Sequence, residues 1–130
     1  MVLFIYIPTR EVDDAPLTRS ITRWGPQLQI ERFENVAELH ERLRKPRYEP
    51  ACAMLFAPGR QHLIELLSIR QLFRDIPIVL VIPTTNHDVI SLAHRLRPRF
   101  LSYFEPLSNH IRTDEILAVL RKMFQTYGVS

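Results

Sequence analysis

The chain has 130 residues, of which 46% are hydrophobic and 24% charged; these proportions are typical of one soluble globular domain, which we expect to span residues 1–130. The formal net charge of +3 is a modest excess that does not by itself predict binding to nucleic acid. No apolar run approaches the roughly 20 residues of a membrane-spanning helix, and the three glycines form neither of the glycine-rich fingerprints that bind nucleotides.

Short apolar runs alternate with amphipathic stretches, which predicts strands and helices in the order βαβαβαβαβα. The runs are Val2–Ile7, Leu28–Phe33, Ala51–Phe56, Ile76–Ile82 and Phe100–Phe104. The third and fourth are apolar throughout and predict central strands, whereas the near-alternation of the second predicts a strand close to an edge. The lone cysteine, Cys52, lies in the third run. We expect a buried thiol, and its lack of a possible intrachain partner fits a reducing cytoplasm.

The first two amphipathic stretches carry helix-start signals. Asp13 and Asp14 come directly before Ala15-Pro16, an arrangement typical of a helix N-terminus. Asn35 and Glu38 have the spacing of a capping box, so the second helix is expected to begin there.

The remaining three stretches also have helical spacing. The apolar residues from Leu63 to Phe73 predict one continuous third helix. The fourth helix is expected to open near Thr84 and to stop before Pro98, and the fifth to begin at Thr113, where two acidic residues follow.

Strands joined by crossover helices pair in parallel, and the crossovers are right-handed. The strand order 2-1-3-4-5 satisfies this pattern, with the two fully apolar runs in the middle and the alternating run near an edge. We therefore predict an α/β, flavodoxin-like (βα)5 three-layer sandwich with a parallel five-stranded sheet. Such a sheet binds its ligands outside the carboxyl ends of its strands, where this chain has mostly proline and hydrocarbon: Pro8, Ala57, Pro58 and Pro83.

Three segments resemble a response-regulator receiver (CheY-like) domain, the phosphoacceptor module of two-component signalling. Val12–Arg19 is similar to a receiver's acidic pair and first helix, Ile76–Ile82 to its fourth strand, and Glu105-Pro106 stands where a receiver has Lys-Pro. The resemblance extends over essentially the whole chain. It implies one receiver-like domain that acts in signal transduction.

The resemblance also implies a degenerate phosphorylation site. In a receiver, an acidic pair and the phosphoacceptor aspartate hold Mg²⁺, while a hydroxyl and a lysine contact the phosphoryl group. Here the phosphoacceptor position falls on Phe56, or on Ala57 one residue later, the hydroxyl position on Ile82, and the lysine position on Glu105. We expect a pseudo-receiver with no catalytic residue, no metal and no cofactor.

The acidic pair Asp13 and Asp14 has two interpretations. The first is an N-cap and a first-turn acid, which stabilise the helix by about 1 kcal/mol. The second is a residual acidic pocket, to which Glu105 could add a third carboxylate. The aromatic residue that a receiver couples to its hydroxyl falls on Ser102, with Tyr103 one place later.

A basic surface is expected around the fourth helix, the fifth strand and the start of the fifth helix, where receivers commonly dimerise or meet protein partners. Its residues are His94, Arg95, Arg97, Arg99, Tyr103 and Arg112. The ordinary interpretation is a solvated face; the functional one is a docking surface for a protein partner or a second copy of the chain.

Two other functions stay open. The first alternative is binding of nucleic acid or an acidic partner by the arginine-rich surface, which the modest net charge does not favour. The second is a small-molecule sensor that uses the strand-end crevice around Thr9, Thr84, Thr85 and Glu105.

Overall fold

The computed structural model describes residues 1–8, 14–25, 27–83, 87–105 and 110–126, with the backbone alone at residues 105, 110 and 111. The strands are β1 Val2–Tyr6, β2 Gln29–Phe33, β3 Ala51–Phe56, β4 Ile78–Pro83, β5 Phe100–Glu105 and β6 His110–Ile111. They form one sheet in the order β2-β1-β3-β4-β5-β6, and the first five are parallel. The predicted fold and strand order 2-1-3-4-5 are confirmed.

The sixth strand was not predicted. It has two residues and pairs antiparallel with Phe104 and Glu105 at the end of β5. A two-residue pairing has no hydrophobic periodicity of its own, so the sequence pattern carries no signal for it.

The helices are α1 Ala15–Thr22, α2 Val36–Arg44, α3 Arg60–Ser68, α4 His87–Arg95 and α5 Thr113–Thr126. The third helix is shorter than predicted. It ends at Ser68, and a 3-10 helix follows at Arg70–Phe73. The hydrogen-bond pattern changes at Ile69, whose amide donates to the carbonyl of Leu66, three residues earlier, at 3.1 Å. This turn directs both Ile69 and Phe73 into the core.

The sheet separates two hydrophobic layers. On one face, α2, α3 and α4 cover alternate residues of the central strands, including Leu55 and Leu80. On the other face, α1 and α5 cover the residues between them, including Met54 and Val81. Because successive side chains of a strand point to opposite faces, the fully apolar runs require both layers. None of the described helices combines the length and the apolar character that a bilayer crossing requires.

Cys52 is fully buried in β3, and burial raises the pKa of its thiol from 9.0 to about 12. Because the folded-state pKa of the thiol is above its unfolded value, the protonated thiol contributes to the stability of the native state below pH 9, and this contribution is lost as the pH rises towards 12.

We expect Cys52 to resist an aromatic disulfide reagent in the native protein at about pH 8 and to react fully in urea. Thiol labelling measures this directly because Cys52 is the one cysteine of the chain. Fast labelling without denaturant contradicts the buried assignment.

Candidate functional site

The carboxyl ends of β1, β3 and β4 meet at one edge of the sheet and are lined by hydrocarbon. Ile7, Phe56, Ala57 and Ile82 are each at most 1% exposed. The Ile7 amide donates to the Phe33 carbonyl at 3.0 Å, and the Ala57 amide donates to the Val81 carbonyl at 2.9 Å, so neighbouring strands satisfy these backbone groups. None of these four side chains can coordinate a cation or accept a phosphoryl group.

The two candidate phosphoacceptor positions lie on opposite faces of the sheet. Phe56 packs in the layer formed with α1 and α5. Ala57 packs in the layer formed with α2, α3 and α4, together with Ile82, the residue at the hydroxyl position. The structure therefore brings Ala57 and Ile82 to one side and separates both from Phe56. Whichever position corresponds to the phosphoacceptor, its side chain is apolar and belongs to the core.

Asp14 is at the N-cap position of α1, but its carboxylate does not cap the helix. No hydrogen bond runs from a helix amide to its side chain, because its φ of −98° and ψ of 0° lie outside the extended region that directs a capping side chain at those amides. Its Oδ2 instead accepts from the Arg32 guanidinium at 2.6 Å and from the Thr18 hydroxyl at 3.0 Å. Asp14 thus ties α1 to the edge strand β2.

The remaining acidic and hydroxyl residues of the predicted crevice are not described. Asp13, Thr9, Thr84, Thr85 and the side chain of Glu105 lie outside the described part of the structure. Within the described part, no three His, Cys, Asp or Glu side chains gather as a metal ion requires. The residual acidic pocket stays a prediction.

Tyr6 ends β1 beside this edge, and its phenol is held in the protonated form. Burial raises the pKa of Tyr6 to about 12, and the Glu65 carboxylate on α3 adds to the effect. A phenol with this pKa stays neutral near pH 7 and cannot act as a general base there.

Ser102 and Tyr103, at and beside the receiver's aromatic position, face opposite sides of β5. Ser102 is fully buried, and its Oγ has no hydrogen-bond partner among the described residues. Tyr103 is half-buried and packs against the layer that contains α4. Tyr103 is the register partner of Ile82 on β4, so of these two residues it is the one whose layer contains Ala57 and Ile82.

The predicted basic surface divides into two parts. Arg95, Arg97 and Arg99 lie where the chain leaves α4 and enters β5, and they line a cleft there. Arg112 follows β6, which pairs with the opposite end of β5, and it forms an ion pair with Glu115 at 3.5 Å. His94 is exposed on the last turn of α4 and does not line the cleft.

Sequence reasoning missed two arginines of the same cleft. Arg70 and Arg74 lie at the two ends of the 3-10 helix and line the same cleft as Arg95 and Arg97. Both are more than twenty positions before Arg95 in the chain. Their spacing suggests only a solvated helix end, so no local pattern links them to the later arginines.

We expect a double-mutant cycle with Asp14→Ala and Arg32→Ala to give a coupling of about 1 kcal/mol in the free energy of unfolding, because the Asp14 carboxylate is nearly buried and charge-assisted hydrogen bonds are strong. The matched control is the exposed pair Glu41 and Arg44, whose coupling should stay below about 0.5 kcal/mol. Urea unfolding measures both cycles. Equal couplings would contradict a structural role for Asp14.

Comparisons with known proteins support the fold. No protein-family model matches the sequence, and no curated protein is significantly similar to it. Among solved structures, the chain is similar to the RcsB response regulator of Salmonella typhimurium, with a TM-score of 0.60 and 17% sequence identity over 94% of this chain. The match covers 60% of the RcsB chain, so this chain spans less than two thirds of that protein. At this identity the likeness concerns the backbone architecture: the chain has the fold of a response-regulator receiver domain.

Proposed function

We propose that this chain is a pseudo-receiver, a receiver-like signalling module that takes up no phosphoryl group and acts by contact with another protein. One observation carries the proposal: Phe56, Ala57 and Ile82 place buried hydrocarbon where a receiver has its phosphoacceptor and hydroxyl. Phosphoryl transfer depends on positioned charges and a metal ion, and these residues supply neither. We propose accordingly that the chain is a binding module and not an enzyme.

Apolar strand ends also favour a single conformation. A phosphorylation switch works because the added charge is stabilised better in one conformation of the protein than in another. Phe56 and Ile82 are each packed into a hydrophobic layer, so moving either one out would expose apolar surface to water. We infer that the module presents one constant surface to its partner.

The edge of β5 is the best-supported contact surface. The short strand β6 pairs with Phe104 and Glu105 alone, so the outer edge of Phe100–Tyr103 has no strand partner among the described residues. Leu101 and Tyr103 are half-buried on the α4 side of this strand. An unpaired strand edge with apolar side chains is a ready site for another strand.

A second copy of this chain is the partner that we propose. Two identical edges related by a twofold axis run antiparallel and are self-complementary, so the contact closes as a dimer. We place the dimer in the cytoplasm, because the only cysteine is buried and forms no disulfide.

We expect no saturable change in Trp24 fluorescence when Mg²⁺ is added with acetyl phosphate or beryllofluoride. Trp24 reports on the relevant layer because its ring packs edge-on against Phe124 of α5 at 5.4 Å, with Arg121 over the ring. A site with a millimolar Kd would raise the free energy of unfolding by about 1.4 kcal/mol in about 10 mM Mg²⁺, so urea unfolding gives a second measurement. A saturable, Mg²⁺-dependent response that Asp14→Asn abolishes would overturn the proposal.

We expect the wild-type chain to sediment as a dimer and Leu101→Lys to weaken self-association by about tenfold or more, because a charged side chain on an edge strand opposes pairing with another edge. The matched control is Tyr48→Ser, which removes a side chain that is 97% exposed elsewhere on the surface. Sedimentation velocity at several concentrations measures the dissociation constant. A monomeric wild type, or equal effects of the two substitutions, would overturn the proposed contact.

A further inference from the structure

A cleft of about 560 Å³ lies between the 3-10 helix and the turn that joins α4 to β5. It is at the amino ends of β4 and β5, opposite the strand ends where a receiver has its phosphorylation site. We call it the arginine cleft, because five exposed guanidinium groups line it: Arg70, Arg74, Arg95, Arg97 and Arg99.

The positive charge in the arginine cleft is not compensated by an ion pair with any described residue. None of its five arginines forms an ion pair or a side-chain hydrogen bond with a residue that the structure describes. Asp75 also lines the cleft, but its Oδ2 accepts from Arg47 at 2.9 Å. Like charges that converge on a concave surface concentrate the electrostatic potential there and attract an anion.

The chemistry of these groups points to phosphate. A guanidinium group offers a planar set of donors that binds phosphate oxygens in a bidentate manner. The arginines come from two segments of the chain, the 3-10 helix and the α4–β5 turn. Five guanidinium groups carry more positive charge than one phosphate group, with a charge of about −2, can balance, so two linked phosphate groups fit better.

Three apolar side chains are among the residues that line the cleft. Phe73, Ile76 and Leu96 line it, and each is at most 5% exposed. Small-molecule sites commonly have volumes of about 300–1,000 Å³, with an apolar lining and a few polar groups that fix orientation. The volume of the cleft therefore suits a small phosphorylated ligand.

The backbone at Arg97 is held in an unfavourable conformation at the edge of this cleft. Its φ is +53°, in the left-handed region that glycine adopts most easily. The Arg97 amide donates to the His94 carbonyl at 3.0 Å, and the Arg99 amide donates to the Ile78 carbonyl at 2.8 Å, so the turn is fixed on both sides. An arginine at a position where glycine is favoured indicates that the side chain is used.

We propose that the arginine cleft binds a small molecule that carries two or more linked phosphate groups. The proposal is independent of the pseudo-receiver function, because the cleft and the degenerate site are at opposite ends of the sheet.

The cleft fits a small ligand better than a nucleic acid. A nucleic-acid backbone follows an extended stripe or groove of positive charge. Here the neighbouring cation Arg47 is paired with Asp75, and the five arginines of the cleft line one concave surface.

The test is isothermal titration calorimetry of the full chain with inorganic diphosphate and with ATP, both without Mg²⁺. We expect saturable binding of one molecule per chain and a loss of affinity of about tenfold or more in the double variant Arg74→Gln, Arg99→Gln. The matched control is Arg19→Gln, Arg60→Gln, which removes the same charge from exposed positions outside the cleft and should change affinity by less than about twofold.

Arg97→Gly separates a binding defect from a folding defect. Glycine relieves the unfavourable φ, so the midpoint of unfolding should stay unchanged or rise while the affinity for diphosphate falls. A fall in both would show that Arg97 has a structural role and would count against the proposal.

Three results would overturn the proposal. The first is the absence of binding by both probes at millimolar concentration. The second is an equal loss of affinity in the cleft variant and its matched control, because binding would then follow net charge. The third is tight binding of a single-stranded oligonucleotide or of polyglutamate without binding of diphosphate, which would assign the cleft to a macromolecule.

Discussion

The burial of β3 and β4 on both faces is the constraint on which the rest of this structure depends. Every residue of Ala51–Phe56 and Ile78–Pro83 is buried, so the sheet requires a helical layer on each side. Parallel pairing then requires crossover helices, which supply those two layers. The alternation of strands and helices follows from this requirement, and the partial exposure of β2 fits its position at the edge of the sheet.

The same hydrocarbon continues to the carboxyl ends of the strands, where this fold class binds ligands. Phe56, Ala57 and Ile82 extend the two hydrophobic layers to these strand ends. Five arginines line the cleft at the opposite end of the sheet. Within the described residues, the fold of a receiver domain therefore carries apolar side chains at the ends of its central strands and a group of cations at their beginnings.

The fold could be predicted because its signals are local and strong. The apolar runs, the capping box at Asn35 and the acidic start of α5 each specify an element within a few residues, and Asn35 does accept from the Glu38 amide. The break at Ile69 could not be predicted, because Leu63–Phe73 has helical spacing on both sides of it. Burial of Ile69 and Phe73 against the sheet decides where the helix ends.

The sequence by itself determined which residue types follow each strand. It therefore also determined that the ends of the central strands are apolar. Only the tertiary structure decided which distant side chains meet. Asp14 has the sequence context of a helix cap, but its carboxylate accepts a hydrogen bond from Arg32, which lies eighteen positions later on β2. Arg70 and Arg74 join Arg95, Arg97 and Arg99 because the parallel pairing of β4 with β5 brings the segments before both strands to one edge. Contacts of this kind depend on sheet register and helix packing, which local periodicity does not encode.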